Sequence, residues 1–306
     1  MTPVTVIVNP LAGKARHRKR IPALLQQLAG FCTIDQLYTT AQPGDARRIS
    51  RGLPALAGTV LVVIGGDGTL HDAVNGLQES GNQAVSVGYI PIGTGNDFAR
   101  AHAIPLQPAQ AVTALRHART QQINVGKAVS PELGTQYFVN NFGIGMDARI
   151  VYDTNHSEAK TGLNRLHLGQ FAYLMNILKA VSEQRSFSAT WQGEQTHVNP
   201  HSYLFVFTNH PFLGGGIRLL PDARRDPHRL SLVAVNAAPI RKLLPILVNI
   251  LQGRADHPRL HIRQRHHFRF ATAANEHIQI DGEEFSTPVH VTLTQVPQRF
   301  LLPVQA

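Results

Sequence analysis

The sequence predicts an α/β domain followed by an antiparallel β domain, and three observations support this fold class. Strand and helix patterns alternate over the first 125 or so residues, as in a parallel sheet with helical crossovers. After Asn124, short apolar runs lie between Gly, Pro and Asn breaks, which is typical of antiparallel strands. Two glycine-rich segments follow apolar runs in the first part. We therefore expect a three-layer α/β domain over residues 1–125 and a β-sandwich over 126–306, with the last 15 or so residues returning to the first domain.

In the first domain, β-branched apolar runs predict strands, and a 3.6-residue apolar period predicts helices. The predicted strands are residues 4–8, 34–38, 60–64 and 85–90. The predicted helices are residues 21–28, a helix from Asp45, a helix carrying Leu70, Ala73, Val74 and Leu77, and residues 96–102 and 108–119.

In the second domain, strand patterns dominate and two helices interrupt them. The predicted strands are residues 137–142, 187–191, 203–208, 230–235, 261–270, 277–280 and 289–294. The predicted helices, residues 163–182 and 239–251, are apolar and basic. Such helices either pack on the sheet or border a lipid cleft.

Composition limits the classes of partner and compartment. The chain has 29 Lys and Arg against 19 Asp and Glu, a net charge of +10 that attracts polyanions or an anionic membrane. No nucleic-acid recognition motif accompanies this charge, so we expect no nucleic-acid partner. One cysteine, no leader pattern and no apolar run near the ~20 residues of a membrane span favour a cytoplasmic protein, at most peripheral on the inner membrane face.

The first glycine loop (residues 65–69, GGDGT) separates an apolar run from a helical pattern. Glycines let backbone N–H groups approach an anion, and a helix N-terminus favours negative charge, so this loop predicts a phosphate site. Asp67 would repel phosphates unless a metal ion lay between them. We therefore expect a nucleotide with Mg²⁺ at Gly65, Gly66, Asp67, Gly68 and Thr69.

The second glycine loop (residues 93–97, GTGND) also follows a strand pattern and precedes a helix. Gly93 and Thr94 are candidates for binding phosphate oxygens, and Asp97 for organising a metal or water. Asn96 or Asp97 could equally be an N-cap. Two such loops in one domain, each with an aspartate, favour a ligand site over capping alone.

Asn9, Gly13 and Lys14 follow the first predicted strand. The carboxyl ends of parallel strands are where α/β sheets bind ligands, so these residues are candidates for contacting a nucleotide. A solvated loop with a proline-directed turn is the alternative.

Asp281, Gly282 and Glu283 lie between alternating apolar residues. Asp-Gly in that setting is a strong hairpin signal. A carboxylate at such a tip could also take a proton from a substrate hydroxyl, as the base of a kinase does. The residues alone leave both interpretations open.

Together these segments resemble the diacylglycerol kinase catalytic-domain family of lipid kinases, which includes the bacterial YegS-like and sphingosine kinases. The similarity covers nearly the whole chain and also includes Thr40 before Gly44, residues 141–151 and residues 214–217. It implies an active site in the cleft between the two domains. ATP would contact a set of residues that comprises Asn9, Gly13, Lys14, Thr40, Gly65, Gly66, Asp67, Gly68, Thr69, Leu70, Gly93, Thr94, Asn96 and Asp97.

The resemblance also implies roles for carboxylates. Asp67 and Asp97 would organise Mg²⁺, and either Asp281 or Glu283 would be the base. An accessory metal site would use Asp226. Three positions depart from the family pattern: His71 replaces an Asn, Asn124 replaces an Asp, and residues 226–228 (DPH) replace Asp-Asp-Gly.

The function expected from these features is ATP-dependent phosphorylation of a lipid hydroxyl, with diacylglycerol as the first candidate and an anionic membrane as the partner surface. Two alternatives remain. A soluble NAD kinase-like phosphotransferase shares the glycine loops, and a non-catalytic nucleotide or lipid sensor is conceivable because of His71, Asn124 and Pro227.

Overall fold

The fold is known from a computed structural model. It describes residues 2–13, 18–54, 58–156, 186–193, 195–213, 216–220, 226–239, 260–287 and 289–304, together with positions 242, 243, 245, 246 and 249. The predicted helix 163–182 lies outside these residues, as does most of the predicted helix 239–251.

The first domain is built on a parallel sheet. Its strands are β1 (Thr2–Val8), β2 (Cys32–Thr39), β3 (Val60–Gly65) and β4 (Ser86–Pro91), in the spatial order β4-β3-β1-β2. Its helices are α1 (Ile21–Ala29), α2 (Asp45–Arg51), α3 (Asp67–Glu79), α4 (Asp97–Ala101) and α5 (Pro108–Arg116). The central strands β3 and β4 are buried nearly throughout, which explains their continuous apolar runs.

Helices pack in pairs beside this sheet. The Gln27 side chain of α1 donates to the Ala109 carbonyl of α5 at 3.1 Å. The α2 and α3 helices approach so closely that a Cβ on Gly76 would lie 2.2 Å from the Arg47 carbonyl oxygen. A glycine on α3 is therefore required for this helix pair to form.

The described residues of the second domain lie mostly in strands. They are β5 (Arg119–Ser130), β6 (Gly134–Phe138), β7 (Asn141–Gly145), β8 (Phe187–Gln192), β9 (Thr196–Thr208), β10 (Phe212–Leu213), β11 (Ile217–Arg218), β12 (Leu230–Asn236), β13 (Leu260–Arg265), β14 (Phe268–Thr272), β15 (Glu276–Ile280), β16 (Glu283–Thr287) and β17 (His290–Leu302). A helix, α6 (Met146–His156), follows β7. Buried phenylalanines, among them Phe142, Phe205 and Phe268, pack in the core of the second domain.

Two long strands connect the domains. β17 pairs antiparallel with β5 from Thr292↔Val129 to Leu302↔Arg119. Its last part also pairs parallel with β4, through Arg299↔Ser86 and Phe300↔Val87. We propose β5 and β17 as the junction between the two domains.

The fold class predicted from the sequence is confirmed, but several element bounds were wrong. The predicted strand 137–142 is two strands, β6 and β7, because the chain turns at Val139 and Asn140 to meet Asp281. The predicted strand 261–270 is also two, β13 and β14. The sequence pattern did not predict β5 or α6. The predicted helix 108–119 ends earlier, at Arg116, since the chain enters β5 at Arg119. Among the described residues, no helix has the length and apolar character needed to cross a bilayer.

Candidate active site

A cleft of about 410 Å³ opens at the carboxyl ends of the parallel strands. Open α/β sheets bind ligands at this edge. The strands β1, β2, β3 and β4 each lead into a loop that reaches the cleft. Its lining residues are Asn9, Leu11, Ala12, Gly13, Thr40, Ala41, Gln42, Pro43, Ala46, Gly66, Gly68, Thr69, Asp72, Gly93, Thr94 and Glu283.

The first glycine loop passes directly from β3 into α3. Gly66 has an extended conformation before the helix, and Gly68 has no atom within 4 Å of the place a Cβ would take. Gly65 has no such room, since its Cβ would lie 2.6 Å from that of Thr69. The first amides of a helix have no partner within the helix, so the start of α3 offers N–H groups to an anion in the cleft.

The second glycine loop packs against the first with their backbones in close approach. A Cβ on Gly93 would lie 2.6 Å from Gly66 Cα. Gly13 has a positive φ of 67°, and its Cβ would lie 1.8 Å from the Ile92 carbonyl oxygen. Three loops that are distant in sequence therefore meet at glycines, which brings their amide groups into one cleft.

Polar side chains complete this end of the cleft. The Asn9 Nδ2 donates to Thr69 Oγ1 at 2.9 Å, which ties the β1 loop to helix α3. Thr40 and residues 41–43 line the opposite wall. The Asp45 carboxylate holds that wall by accepting from the amides of Ala41 and Gln42, and these hydrogen bonds lower the pKa of Asp45.

Asp67 and Asp97 lie beside each other but do not line the cleft. Asp67 accepts from the backbone amides of Asp97 and Phe98, each at 3.3 Å, and so caps helix α4. Asp97 accepts from the Gly216 amide at 2.7 Å. Burial raises the pKa of Asp67 despite these amide bonds, because desolvation disfavours its charged form.

The environment of Asp67 is compatible with a divalent cation. Within the described ranges it forms no ion pair with Lys or Arg, its amide bonds to Asp97 and Phe98 are long, and burial disfavours its negative charge, which a cation would stabilise. The same residues contain no cluster of three or more His, Cys, Asp or Glu that could enclose a metal. Mg²⁺ in nucleotide sites is commonly held by one or two carboxylates plus phosphates and water, and Asp67 supplies a carboxylate of this kind.

Asp281 is fully engaged by hydrogen bonds. Its Oδ1 accepts from the amides of Asn140 and Asn141, each at 2.9 Å, and its Oδ2 accepts from the Val139 amide at 2.7 Å. The fourth partner is His71 Nδ1, 3.0 Å from Oδ2. All four directions in which a carboxylate readily accepts are thus occupied.

Glu283 differs from Asp281 although only Gly282 separates them. Asp281 and Gly282 have positive φ values of 51° and 93° and form the two-residue loop between β15 and β16. This agrees with the type I′ hairpin that the Asp-Gly pair predicts. Glu283 is exposed and lines the cleft, so the hairpin presents one free carboxylate to the glycine loops.

The other predicted site residues lie elsewhere. The Leu70 side chain is buried in the first-domain core, and Asn96 donates to the Gly93 carbonyl, with φ 55°, so it shapes its own loop. Asp226 bonds within its own turn to Arg229, at 3.2 Å. Lys14 lies outside the described residues.

Asp72 and His71 are titratable groups at the site that were not selected as site residues from the sequence. Asp72 lines the cleft, and its Oδ2 accepts from the Gly44 amide at 3.2 Å. Burial raises the pKa of Asp72. The available signal was helical spacing, since Asp72 follows Gly68 and Thr69 by four and three positions on α3. His71, noted only as a departure from the family pattern, is buried against Asp281.

Gln279 supports the hairpin from behind. Its Oε1 accepts from the Gly282 amide at 2.9 Å, and its Nε2 donates to Asp147 Oδ2 at 2.6 Å. Burial raises the pKa of Asp147 to about 6. Gly143 makes room for this pair, since a Cβ there would lie 2.0 Å from Asp147 Oδ2.

Known proteins resemble this chain over nearly its whole length. Diacylglycerol kinases from Staphylococcus saprophyticus and Staphylococcus carnosus are each 27% identical over 281 residues. That alignment covers 91% of this chain and 88% and 87% of the two relatives. A diacylglycerol kinase structure from Bacillus anthracis strain Sterne aligns with a TM-score of 0.73 at 20% identity, covering 98% of this chain and 97% of that one. A second crystal structure from that strain gives 0.77 at 22% identity, covering 98% and 95%.

Two family models together span most of the chain. The diacylglycerol kinase catalytic domain matches residues 3–128, and the YegS C-terminal NAD kinase beta sandwich-like domain matches residues 141–302. The second match covers more than half of the chain. The chain therefore belongs to the diacylglycerol kinase-like family in which these two domains are joined.

Proposed function

We propose that this protein is an ATP-dependent lipid kinase that phosphorylates a hydroxyl of a membrane lipid, with diacylglycerol as the first candidate. The observation that carries the proposal is the meeting of the two glycine loops with the free carboxylate of Glu283 in one cleft. Amides suited to phosphate and a carboxylate suited to a hydroxyl proton are the two components that phosphoryl transfer requires. The family of the chain supports the same reaction class.

ATP would bind with its phosphates at the glycine loops. The amides at the start of α3 and the Thr94 region would contact phosphate oxygens, while Thr40 and residues 41–43 would border the nucleoside. Asp72 would then meet ribose hydroxyls, since a carboxylate accepts O–H groups and repels phosphate.

The chemical step needs one base and one leaving group. The acceptor O–H bond breaks as its proton passes to the Glu283 carboxylate, and the lipid oxygen bonds to the γ-phosphorus. The bond between that phosphorus and the β–γ bridging oxygen breaks, and ADP leaves. The glycine-loop amides would stabilise charge on the equatorial oxygens.

We assign the base to Glu283 instead of Asp281. A base needs a free oxygen within reach of the proton that it takes. The Asp281 oxygens accept three backbone amides and the His71 contact, whereas Glu283 is exposed in the cleft. Asp281 would then position the hairpin.

Because Asp67 and Asp97 do not line the cleft, they would organise Mg²⁺ through water, and the cation would neutralise charge on the phosphates. The Asp67 carboxylate would accept from the first amides of helix α4 and would offset part of the positive charge of the cation. A metal role for Asp226 remains a prediction.

The net charge of +10 would attract the protein to anionic membranes on the cytoplasmic face. Because salt screens exposed charges, activity on anionic vesicles should fall as ionic strength rises from about 0.05 to 0.5 M. A vesicle sedimentation assay run in parallel would show whether binding falls with activity. Activity that does not change with salt would exclude this attraction.

The deciding experiment offers the purified protein γ-labelled ATP with Mg²⁺ and, separately, diacylglycerol vesicles or NAD. We expect label in a phospholipid and none in NADP. Label in NADP alone would support the NAD kinase-like alternative. ATP binding without transfer to any component of a total lipid extract would support the sensor alternative.

A further inference from the structure

We propose that His71 is a positioning residue that fixes Glu283 relative to the nucleotide by holding Asp281 from helix α3. The inference rests on the function proposed above, because it assumes that Glu283 acts in the cleft. His71 does not line the cleft, and its side chain is only 4% exposed. Its role must therefore be exerted through the residues that it contacts.

Helix α3 carries a polar stripe toward the second domain. Asp67, His71 and Asn75 follow each other at four-residue intervals, which places them on one helix face. Asp67 contacts the start of α4, His71 contacts Asp281, and Asn75 contacts the backbone of Tyr137. The helix that begins at the phosphate loop is thereby joined to the domain that carries the base.

Asn75 sets the environment of the imidazole ring. Its Oδ1 accepts from the Tyr137 amide at 2.9 Å and its Nδ2 donates to the Tyr137 carbonyl at 2.8 Å, so the amide has one orientation. Its Nδ2 also donates to the His71 carbonyl at 2.9 Å and lies 3.3 Å from His71 Nε2. Because an ionised carboxylate only accepts, the neutral His71 ring carries its proton at Nδ1 and donates it to Asp281 Oδ2.

Asp281 passes this restraint to Glu283. Its amide bonds hold residues 139–141 of the second domain, and its backbone forms the two-residue hairpin loop. His71 supplies the one bond to Asp281 that comes from the helix of the phosphate site. Without it the hairpin keeps its bonds within the second domain but loses this restraint toward the nucleotide domain.

Two amide variants of His71 test the roles of its two ring nitrogens separately. In His71→Asn the amide nitrogen can take the place of Nδ1 and still donate to Asp281. In His71→Gln the amide lies near the Nε2 position and leaves Asp281 without this donor. We expect His71→Asn to keep kcat within about threefold of wild type and His71→Gln to lose roughly 100-fold, the effect of an active-site displacement of about 1 Å. The KM for ATP should stay within about twofold in both variants, because neither substitution replaces a residue that lines the cleft.

Controls separate positioning from folding. Thermal unfolding of each variant should show a folded protein at assay temperature. His277→Asn is the matched control, since His277 lies on β15 of the same hairpin and contacts Tyr152 on α6. It should retain wild-type kcat.

The ring itself gives a readout independent of activity. Two-bond ¹H–¹⁵N spectra of histidine-labelled wild type, recorded at a pH above the titration of the ring, should show His71 neutral and protonated at Nδ1. Burial opposes the charged ring, but the hydrogen bond and charge of Asp281 outweigh burial and raise the pKa of His71, so a high pH is needed. A ring protonated at Nε2 would contradict the proposed contact.

The kinetic outcomes are also decisive. Equal kcat in His71→Asn and His71→Gln, whether high or low, would overturn the role of the Nδ1 donor, as would a KM for ATP that rises in step with the loss. A wild-type protein that transfers no phosphate to lipid would instead contradict the proposed function, and the inference with it.

Discussion

At the scale of single residues, two neighbouring carboxylates have opposite environments. Asp281 accepts from three backbone amides and contacts His71, while Glu283 is exposed to the cleft. A buried acceptor with all its bonds made stabilises the fold, and a free carboxylate beside a phosphate site is available for proton transfer. The two residues should therefore respond differently to the same chemical change.

We expect Glu283→Gln to lower kcat by about 10²- to 10⁴-fold without changing stability, because an amide cannot take the proton. Asp281→Asn should destabilise the protein by about 1–3 kcal/mol, because an amide N–H would then face donors that now bond to the carboxylate. Lipid phosphorylation and urea unfolding measure the two effects. Glu284→Gln is the neighbouring control, with activity expected near wild type. A fully active Glu283→Gln would remove Glu283 from the base role.

Asp72 should discriminate the nucleotide sugar. We expect Asp72→Ala to weaken ATP binding by about 10-fold or more, the value of a hydrogen bond to a charged group. Titration calorimetry with ATP and 2′,3′-dideoxy-ATP checks the cause. Loss of the ribose hydroxyls should weaken wild-type binding but not binding by the variant. If the variant still prefers ATP by the wild-type factor, Asp72 does not contact the ribose.

At the scale of elements, the cleft depends on loops that meet backbone to backbone. Gly93 and Gly66 approach so closely that a Cβ on Gly93 would lie 2.6 Å from a main-chain atom. Main-chain atoms cannot move aside as a flexible side chain can. Gly68 is in the opposite situation, at the open cleft surface and inside a helix.

Gly93→Ala should therefore destabilise the protein, whereas Gly68→Ala should leave it as stable as wild type or slightly more so, by up to about 1 kcal/mol from helix propensity. The new methyl group at residue 68 would point at the space assigned to phosphate, so we expect the KM for ATP to rise in Gly68→Ala. Urea unfolding and initial rates measure both. Normal ATP binding by Gly68→Ala would argue against phosphate at the start of α3.

At the scale of the whole molecule, the second domain contains a buried carboxylate that folding must desolvate. Burial raises the pKa of Asp147 to about 6, although Gln279 donates to it. The folded state therefore holds this proton more tightly than the unfolded chain, whose Asp titrates near 3.9. The contribution of Asp147 to stability is largest below about pH 4 and falls as pH rises through about 6.

Asp147→Asn should remove this dependence, because an amide does not titrate, while the Oδ1 of the asparagine can still accept from Gln279. Above pH 7 the variant should be more stable than wild type by up to about 3 kcal/mol, while at pH 4 the two should be alike. Urea unfolding of both proteins from pH 4 to 8 measures the difference in their free energies of unfolding. The contributions of all other titrating groups are the same in both proteins and cancel in this difference. A constant difference across that range would contradict a raised pKa at Asp147.

The sequence was sufficient for features that depend on neighbouring residues. The strand, glycine loop and helix around residues 60–79 follow from local pattern, as does the Asp281-Gly282 hairpin. Contacts between distant segments have no such signal. The contact of Gly93 with Gly66, the turn at Val139 that meets Asp281 and the place of Asp72 in the cleft all required the folded chain. The sequence left open whether Asp281 or Glu283 is the base, because the hydrogen bonds that distinguish the two residues come from segments distant in sequence.

The most direct test is a crystal structure of the protein with Mg²⁺ and a non-hydrolysable ATP analogue. We expect the triphosphate against the amides at the start of α3 and at Thr94, with the Glu283 carboxylate facing the γ-phosphate and Asp281 still bonded to residues 139–141. An analogue bound outside this cleft, or a γ-phosphate out of reach of Glu283, would contradict the central claim that the two glycine loops and this hairpin form one phosphoryl-transfer site.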